Sequence, residues 1–170
     1  MDTKSLMTVA RLIDELNGVE GRTRLQKIVH LLSQRFPMDF RQRFTLHYFG
    51  PYSRELADQV DFLIAARVLN ENPPDEDSGA GFRYAVADDR ARNRIAEAGG
   101  TTEWITFARR LAQEKKSTLE ALSTLVFLRD RSESTDDLLR REFGRIKPHL
   151  THSFDTALKL ADELLPSHSL

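Results

Sequence analysis

Arg43-Phe44-Thr45-Leu46-His47-Tyr48-Phe49-Gly50-Pro51-Tyr52-Ser53 is the stretch on which the reading of the fold turns. Phe44, Leu46 and Tyr48 alternate with Thr45 and His47, the period of a short half-buried strand. Gly50-Pro51 follows as a turn signal. Ser53 is then placed to cap a helix that runs to about Arg67, with Leu56, Val60, Leu63 and Ile64 as its buried face.

Upstream, Leu6, Val9, Ile13 and Leu16 recur at helical spacing, predicting a helix from about Lys4 to Asn17 that Gly18 ends. Thr23-Arg24-Leu25-Gln26 reads as a capping box that opens a second helix, which accounts for Gln26. Leu25, Ile28, Val29, Leu32 and Phe36 form its stripe, and Pro37 closes it. Lys27 falls off that stripe and is expected at the surface, and His30 reads as a partly buried packing residue.

Downstream, Val68-Leu69 begins an extended piece, and Phe82-Arg83-Tyr84-Ala85-Val86 alternates again across a Pro-, Gly- and acid-rich loop. Two such strands make a hairpin. From Asp88 on, the chain reads as helices: Asp88–Ala98, Thr102–Glu114, a third opened by a second capping box at Ser117-Thr118-Leu119-Glu120, Asp136–Phe143 capped by Ser134, and Ser153–Leu165. The fold class is mostly α (α+β): a winged helix-turn-helix core over residues 1–87, its wing a small β-hairpin, with a helical extension or subdomain over 88–170.

Composition bounds the function. The 170 residues contain no Cys, which removes disulfide frameworks, zinc-thiolate sites, iron–sulfur clusters and cysteine nucleophiles. No apolar run approaches the ~18 residues of a membrane span. The first residues lack a basic stretch followed by an apolar core, so the expected location is the cytoplasm, without membrane association. There is no P-loop, no G-x-S-x-G, no H-E-x-x-H and no G-x-G-x-x-G after a strand. His149 and His152 lack a carboxylate at metal-site spacing. The expectation is a protein that is not an enzyme, with no catalytic residues, no metal site and no cofactor.

The formal net charge of −1 conceals an uneven distribution. Residues 22–54 hold seven basic side chains against Asp39 alone, and residues 55–89 hold nine acidic ones against Arg67 and Arg83. In a helix-turn-helix the second helix enters the major groove. Here that helix carries Glu55, Asp58 and Asp61, and the loop of the wing carries Asp75-Glu76-Asp77, all of which phosphates would repel. Binding to double-stranded DNA would therefore run through Arg22, Arg24, Lys27, Arg41, Arg43 and Arg54, mainly on the backbone. The alternative is a non-catalytic interaction subunit that offers Tyr52, Glu55, Asp58 and Asp61 to a protein partner encoded nearby. The C-terminal amphipathic helices also offer a homodimer interface.

Two segments carry a resemblance. Gly21-Arg22-Thr23-Arg24-Leu25-Gln26-Lys27-Ile28-Val29 and Phe49-Gly50-Pro51-Tyr52-Ser53-Arg54-Glu55-Leu56-Ala57 resemble the prokaryotic YwgA-like winged-helix proteins, an uncharacterised family, with Phe49 where the family usually has Tyr. Leu119 to Leu128 and Ile146-Lys147-Pro148 look like its C-terminal helical portion. A weaker likeness, to SocA-type antitoxin domains, rests on the Leu-Gln-Lys helix and the Gly-Pro segment. The resemblance implies a winged helix. A transcription-regulator-like role and one in antiviral defence are both compatible with it.

Overall fold

The computed structural model describes residues 2–74, 81–131 and 135–165. The acidic loop residues Asp75-Glu76-Asp77 and the proposed cap Ser134 lie outside them. Helix α1 (Thr3–Glu15) leads to strand β1 (Val19–Glu20) and helix α2 (Arg22–Arg35). Strands β2 (Thr45–His47) and β3 (Gly50–Tyr52) precede helix α3 (Arg54–Ala65), and strands β4 (Leu69–Asn72) and β5 (Arg83–Val86) follow it. Helices α4 (Asp89–Glu97), α5 (Trp104–Ala112), α6 (Lys116–Arg131) and α7 (Asp136–Ile146) come next, then a 3-10 turn (Pro148–Ser153) and helix α8 (Phe154–Leu164).

This is the α+β arrangement with a hairpin wing. Strands β4 and β5 pair antiparallel, Leu69 opposite Val86 and Asn72 opposite Arg83. The two-residue β1, too short to show a period, adds to the other edge of β5 and makes the order β1-β5-β4. Ser53 caps α3 as expected, its hydroxyl accepting from the Leu56 amide at 3.2 Å. Leu56, Val60 and Leu63 are buried as the spacing predicts.

Both capping boxes dissolve. Helix α2 begins at Arg22 with Gly21 as its N-cap, at φ +77 and without a side-chain cap. Helix α6 begins at Lys116, which puts Ser117 inside it. The Gly50-Pro51 turn is also corrected. These residues form β3, paired with β2 in a second sheet, and the turn falls at Tyr48-Phe49. Gly50 sits at φ +92, where a side chain would meet the Thr124 hydroxyl.

Helix α2 is the central element. Eight consecutive residues, Leu25 to Leu32, are buried, because α5, α6 and β3 pack around it. Helix α6 is as deeply set, with Leu119 to Leu128 buried and α7 and α8 against it. One hydrophobic cluster therefore draws on residues from both 1–87 and 88–165. The chain between α2 and β2 is pinned by Phe40, buried edge-on to Trp104 with ring centroids 5.3 Å apart.

Candidate functional site

The β2–β3 hairpin stands between α2 and α3, where the sequence predicts one short strand and a turn. Buried polar side chains fasten its backbone. Gln26, 4% exposed, grips Ser53 from both sides: its Nε2 donates to the Ser53 carbonyl and its Oε1 accepts from the Ser53 amide, each at 2.8 Å. Lys27 is 3% exposed, contrary to the expectation of a surface position, and donates to the Pro51 carbonyl at 3.0 Å. Lys147, fully buried, donates to the Tyr48 carbonyl and to Glu120 Oε1, the latter at 2.7 Å. Gln26 and Glu120, read as the last members of two capping boxes, are thus tertiary fasteners.

This interior is electrostatically uneven. Glu120 is paired to Lys147, with His149 Nε2 3.8 Å away. Lys27 has no carboxylate within 4 Å among the described residues. Burial pushes its ammonium down to about 8; the Glu120 charge opposes the shift and Lys147 adds to it. One turn along, His30 shares a 2.9 Å hydrogen bond with Ser123. Burial, assisted by the Lys27 charge, drives that imidazole down to about 3, so it is neutral.

Against Gln26 and Lys27 opens a cleft of about 280 Å³. It is lined on one side by the start of α2 (Arg22, Gln26, Lys27) and on the other by hairpin rings (His47, Tyr48, Phe49, Tyr52). The two sequence segments that carry the family resemblance therefore meet at one place. Tyr48 is 81% and Phe49 59% exposed, their rings edge to face, while His47 leans on Tyr52 with centroids 4.9 Å apart. Tyr48 was expected in a half-buried strand; it lies at the hairpin tip, where the Phe49 ring and the Lys147 ammonium, 5.8 Å from its centroid, leave most of it exposed.

The six basic residues singled out in the sequence divide in two. Arg22 binds Asp61 at 2.6 Å, reaches Glu71 at 3.5 Å and donates to the Tyr84 hydroxyl, tying α2 to α3 and the wing. Arg24 donates to the Ala112 and Glu114 carbonyls, closing the end of α5. Lys27 is buried as described. Arg41, Arg43 and Arg54 are exposed, and no ion pair engages them among the described residues. Of the residues expected to meet a protein partner, Asp61 is taken by Arg22 and Tyr52 is half-buried, whereas Glu55 and Asp58 are exposed. Sequence reasoning missed Lys147, Glu120 and the aromatic tip as parts of this site.

Fold and cleft together define a winged helix-turn-helix protein with an added hairpin between the helices of the motif. No family model matches the chain. Over 78 residues it is 24% identical to the Uncharacterized protein YwgA of Bacillus subtilis (strain 168), a match covering 46% of this chain and 46% of that relative. The chain thus spans less than half the length of the relative it matches, and the match supports the resemblance to the YwgA-like family. No helix among the described residues is long and apolar enough to cross a membrane.

Proposed function

We propose that this protein is a non-catalytic nucleic-acid-binding module with a regulator-like role, and that Arg41, Arg43 and Arg54 are its phosphate contacts. The observation that carries this reading is the position of three exposed guanidinium groups that no ion pair engages among the described residues. The register pairs Thr45 with Tyr52, so Arg43 and Arg54 leave the hairpin from the same end, with Arg41 just before them. Thr45 and His47 are exposed along β2, and the Tyr48-Phe49 tip closes the other end. Basic groups at one end of the hairpin and exposed rings at the other bound a strip along which a nucleic-acid backbone and its bases can lie. The acidic α3, with Glu55 and Asp58 outward, is a poor groove helix for the same electrostatic reason.

The test is binding to duplex and to single-stranded DNA across a salt series. Three phosphate contacts give a slope of log K against log salt of about −2 to −3. Arg41→Glu, Arg43→Glu and Arg54→Glu together should abolish it. Absence of binding at low salt, or a triple variant that binds like the parent, overturns the reading.

Phe62 favours a second reading. It is 50% exposed on α3, on the helix that also turns Glu55 and Asp58 outward. An apolar ring among carboxylates suits a partner with a basic rim, as an antitoxin-like or phage-defence accessory subunit would need. Co-purification of a neighbouring gene product that is lost on Phe62→Glu, with DNA binding absent, would establish it in place of the first.

A further inference from the structure

The cleft has two features that surface binding to a phosphate backbone does not require. Its buried end holds an excess cation: Lys27 and Lys147 share one carboxylate, Glu120, and Lys147 holds it at 2.7 Å. A buried charge without its counter-ion is costly, and an anion entering from the cleft would supply what is missing. The outer end holds the exposed rings of Tyr48 and Phe49, apolar surface that the fold leaves in water. Arg22 also lines the cleft; Asp61 holds its guanidinium from one side, at 2.6 Å, and its side chain stays 40% accessible. At about 280 Å³ the cleft is near the lower end of the ~300–1,000 Å³ range of small-molecule sites, which suits one compact ligand.

From this geometry we infer that the cleft binds a single nucleotide unit, its base against Tyr48 and Phe49 and its phosphate toward Lys27 and Arg22. The inference rests on the nucleic-acid reading above and gives it a specific seat. The unit is either a free mononucleotide or the 5′-terminal nucleotide of a strand, since both present the same base and phosphate. Occupancy would also hold Lys27 protonated. The charged and titratable groups around it are Glu120 and Lys116 on α6, Lys147 after α7, His149 in the 3-10 turn, His30, Arg22 and Arg24 on α2, and His47, Tyr48 and Tyr52 on the hairpin. Affinity should therefore fall above about pH 8, where the empty site's Lys27 loses its proton, and below about pH 6, where the phosphate takes up its second one.

Calorimetry on the full chain decides the matter, with adenosine 5′-monophosphate, adenosine and inorganic phosphate as probes. The monophosphate should bind at least about tenfold tighter than either fragment. Tyr48→Ala, at an exposed tip that does not hold the fold together, should weaken it about tenfold. Lys27→Met should weaken it at least as much, with circular dichroism confirming that the variant is folded. Phosphate binding as tightly as the monophosphate, no response to the monophosphate, or an unaffected Tyr48→Ala variant would each overturn the inference. A 5′-phosphorylated single strand that binds tighter than its 5′-hydroxyl twin identifies a strand end as the source. Equal strands with a tight monophosphate identify the free nucleotide. Strand binding that depends on Arg41, Arg43 and Arg54 without any monophosphate response defeats this inference alone. Monophosphate binding without strand binding upholds the cleft and defeats the reading beneath it.

Discussion

Replacing Lys147 with Met should be among the costliest single changes in this molecule. The substitution keeps an unbranched apolar stem of similar reach, with sulfur in place of one methylene, and removes the ammonium. Lys147 is wholly buried, Glu120 is 9% exposed, and 2.7 Å separates their charges. Without the ammonium, the Glu120 carboxylate keeps His149, 3.8 Å away and more than half exposed, and the more distant charge of Lys27. The Tyr48 carbonyl also loses its donor. Breaking a buried pair from one side costs about 3–5 kcal/mol, a large part of the ~5–15 kcal/mol that holds a domain folded. For a chain of this size that is a fall in Tm of about 6–20 °C. Lys147→Met with Glu120→Leu should recover most of the loss, because an apolar pair of similar volume is often neutral. Lys27 then loses one attraction and one repulsion together. The assay is a urea titration at pH 7 on the parent, both single variants and the double variant, read as a double-mutant cycle. A Lys147→Met cost below about 1 kcal/mol, or a double variant no more stable than the worse single one, would refute the reasoning.

Stability should also depend on pH through His30. The unfolded chain takes up this proton near 6.5 and the folded one only near 3. The contribution is therefore complete above pH 6.5 and is lost as pH falls toward 3, by at most about 1.4 kcal/mol per unit. Urea midpoints for the parent and His30→Gln should converge in slope only above pH 6.5, and parallel curves between pH 4 and 6 would contradict this. Gly50→Ala should cost about 2 kcal/mol or more, since its Cβ would lie 2.9 Å from the Thr124 hydroxyl and its φ is +92; a thermal melt within 2 °C of the parent counts against it. Gln26→Leu strands the Ser53 amide and carbonyl and should cost about 2–4 kcal/mol. Thr23→Ala should cost under about 0.5 kcal/mol because Thr23 caps nothing. The same chemical melts rank the two, and the reverse order would restore the capping box.

The helices and the wing were legible because they announce themselves locally: apolar spacing in α1 and α3, a capping Ser53, an alternating pair of strands around a Pro- and Gly-rich loop. The site was not, for a definite reason. A Thr-x-x-Gln or Ser-x-x-Glu pattern describes a helix start only when the helix begins at the hydroxyl. In α2 and α6 the helix begins one residue earlier, which frees Gln26 and Glu120 for partners 27 residues away in each case. Lys27 was placed at the surface by a one-sided stripe, but α2 is enclosed all round, and nothing local distinguishes a helix with one neighbour from one with several. The charge blocks were counted correctly, yet Arg22 and Arg24 answer to Asp61 and to the end of α5, pairings that only the folded chain defines.

The bond from Lys147 to the Tyr48 carbonyl spans 99 residues. Synthesis proceeds from the N-terminus, and Tyr48 emerges long before Lys147 does. In the interval the hairpin can be held by Gln26 and Lys27, while its tip lacks one fastener and Glu120 lacks its counter-ion. The ring-bearing face is thus finished last although it is made early. A chain interrupted anywhere before residue 147 would carry Tyr48 and Phe49 on an unlatched loop, so the order of translation itself delays the moment at which this surface takes its final form.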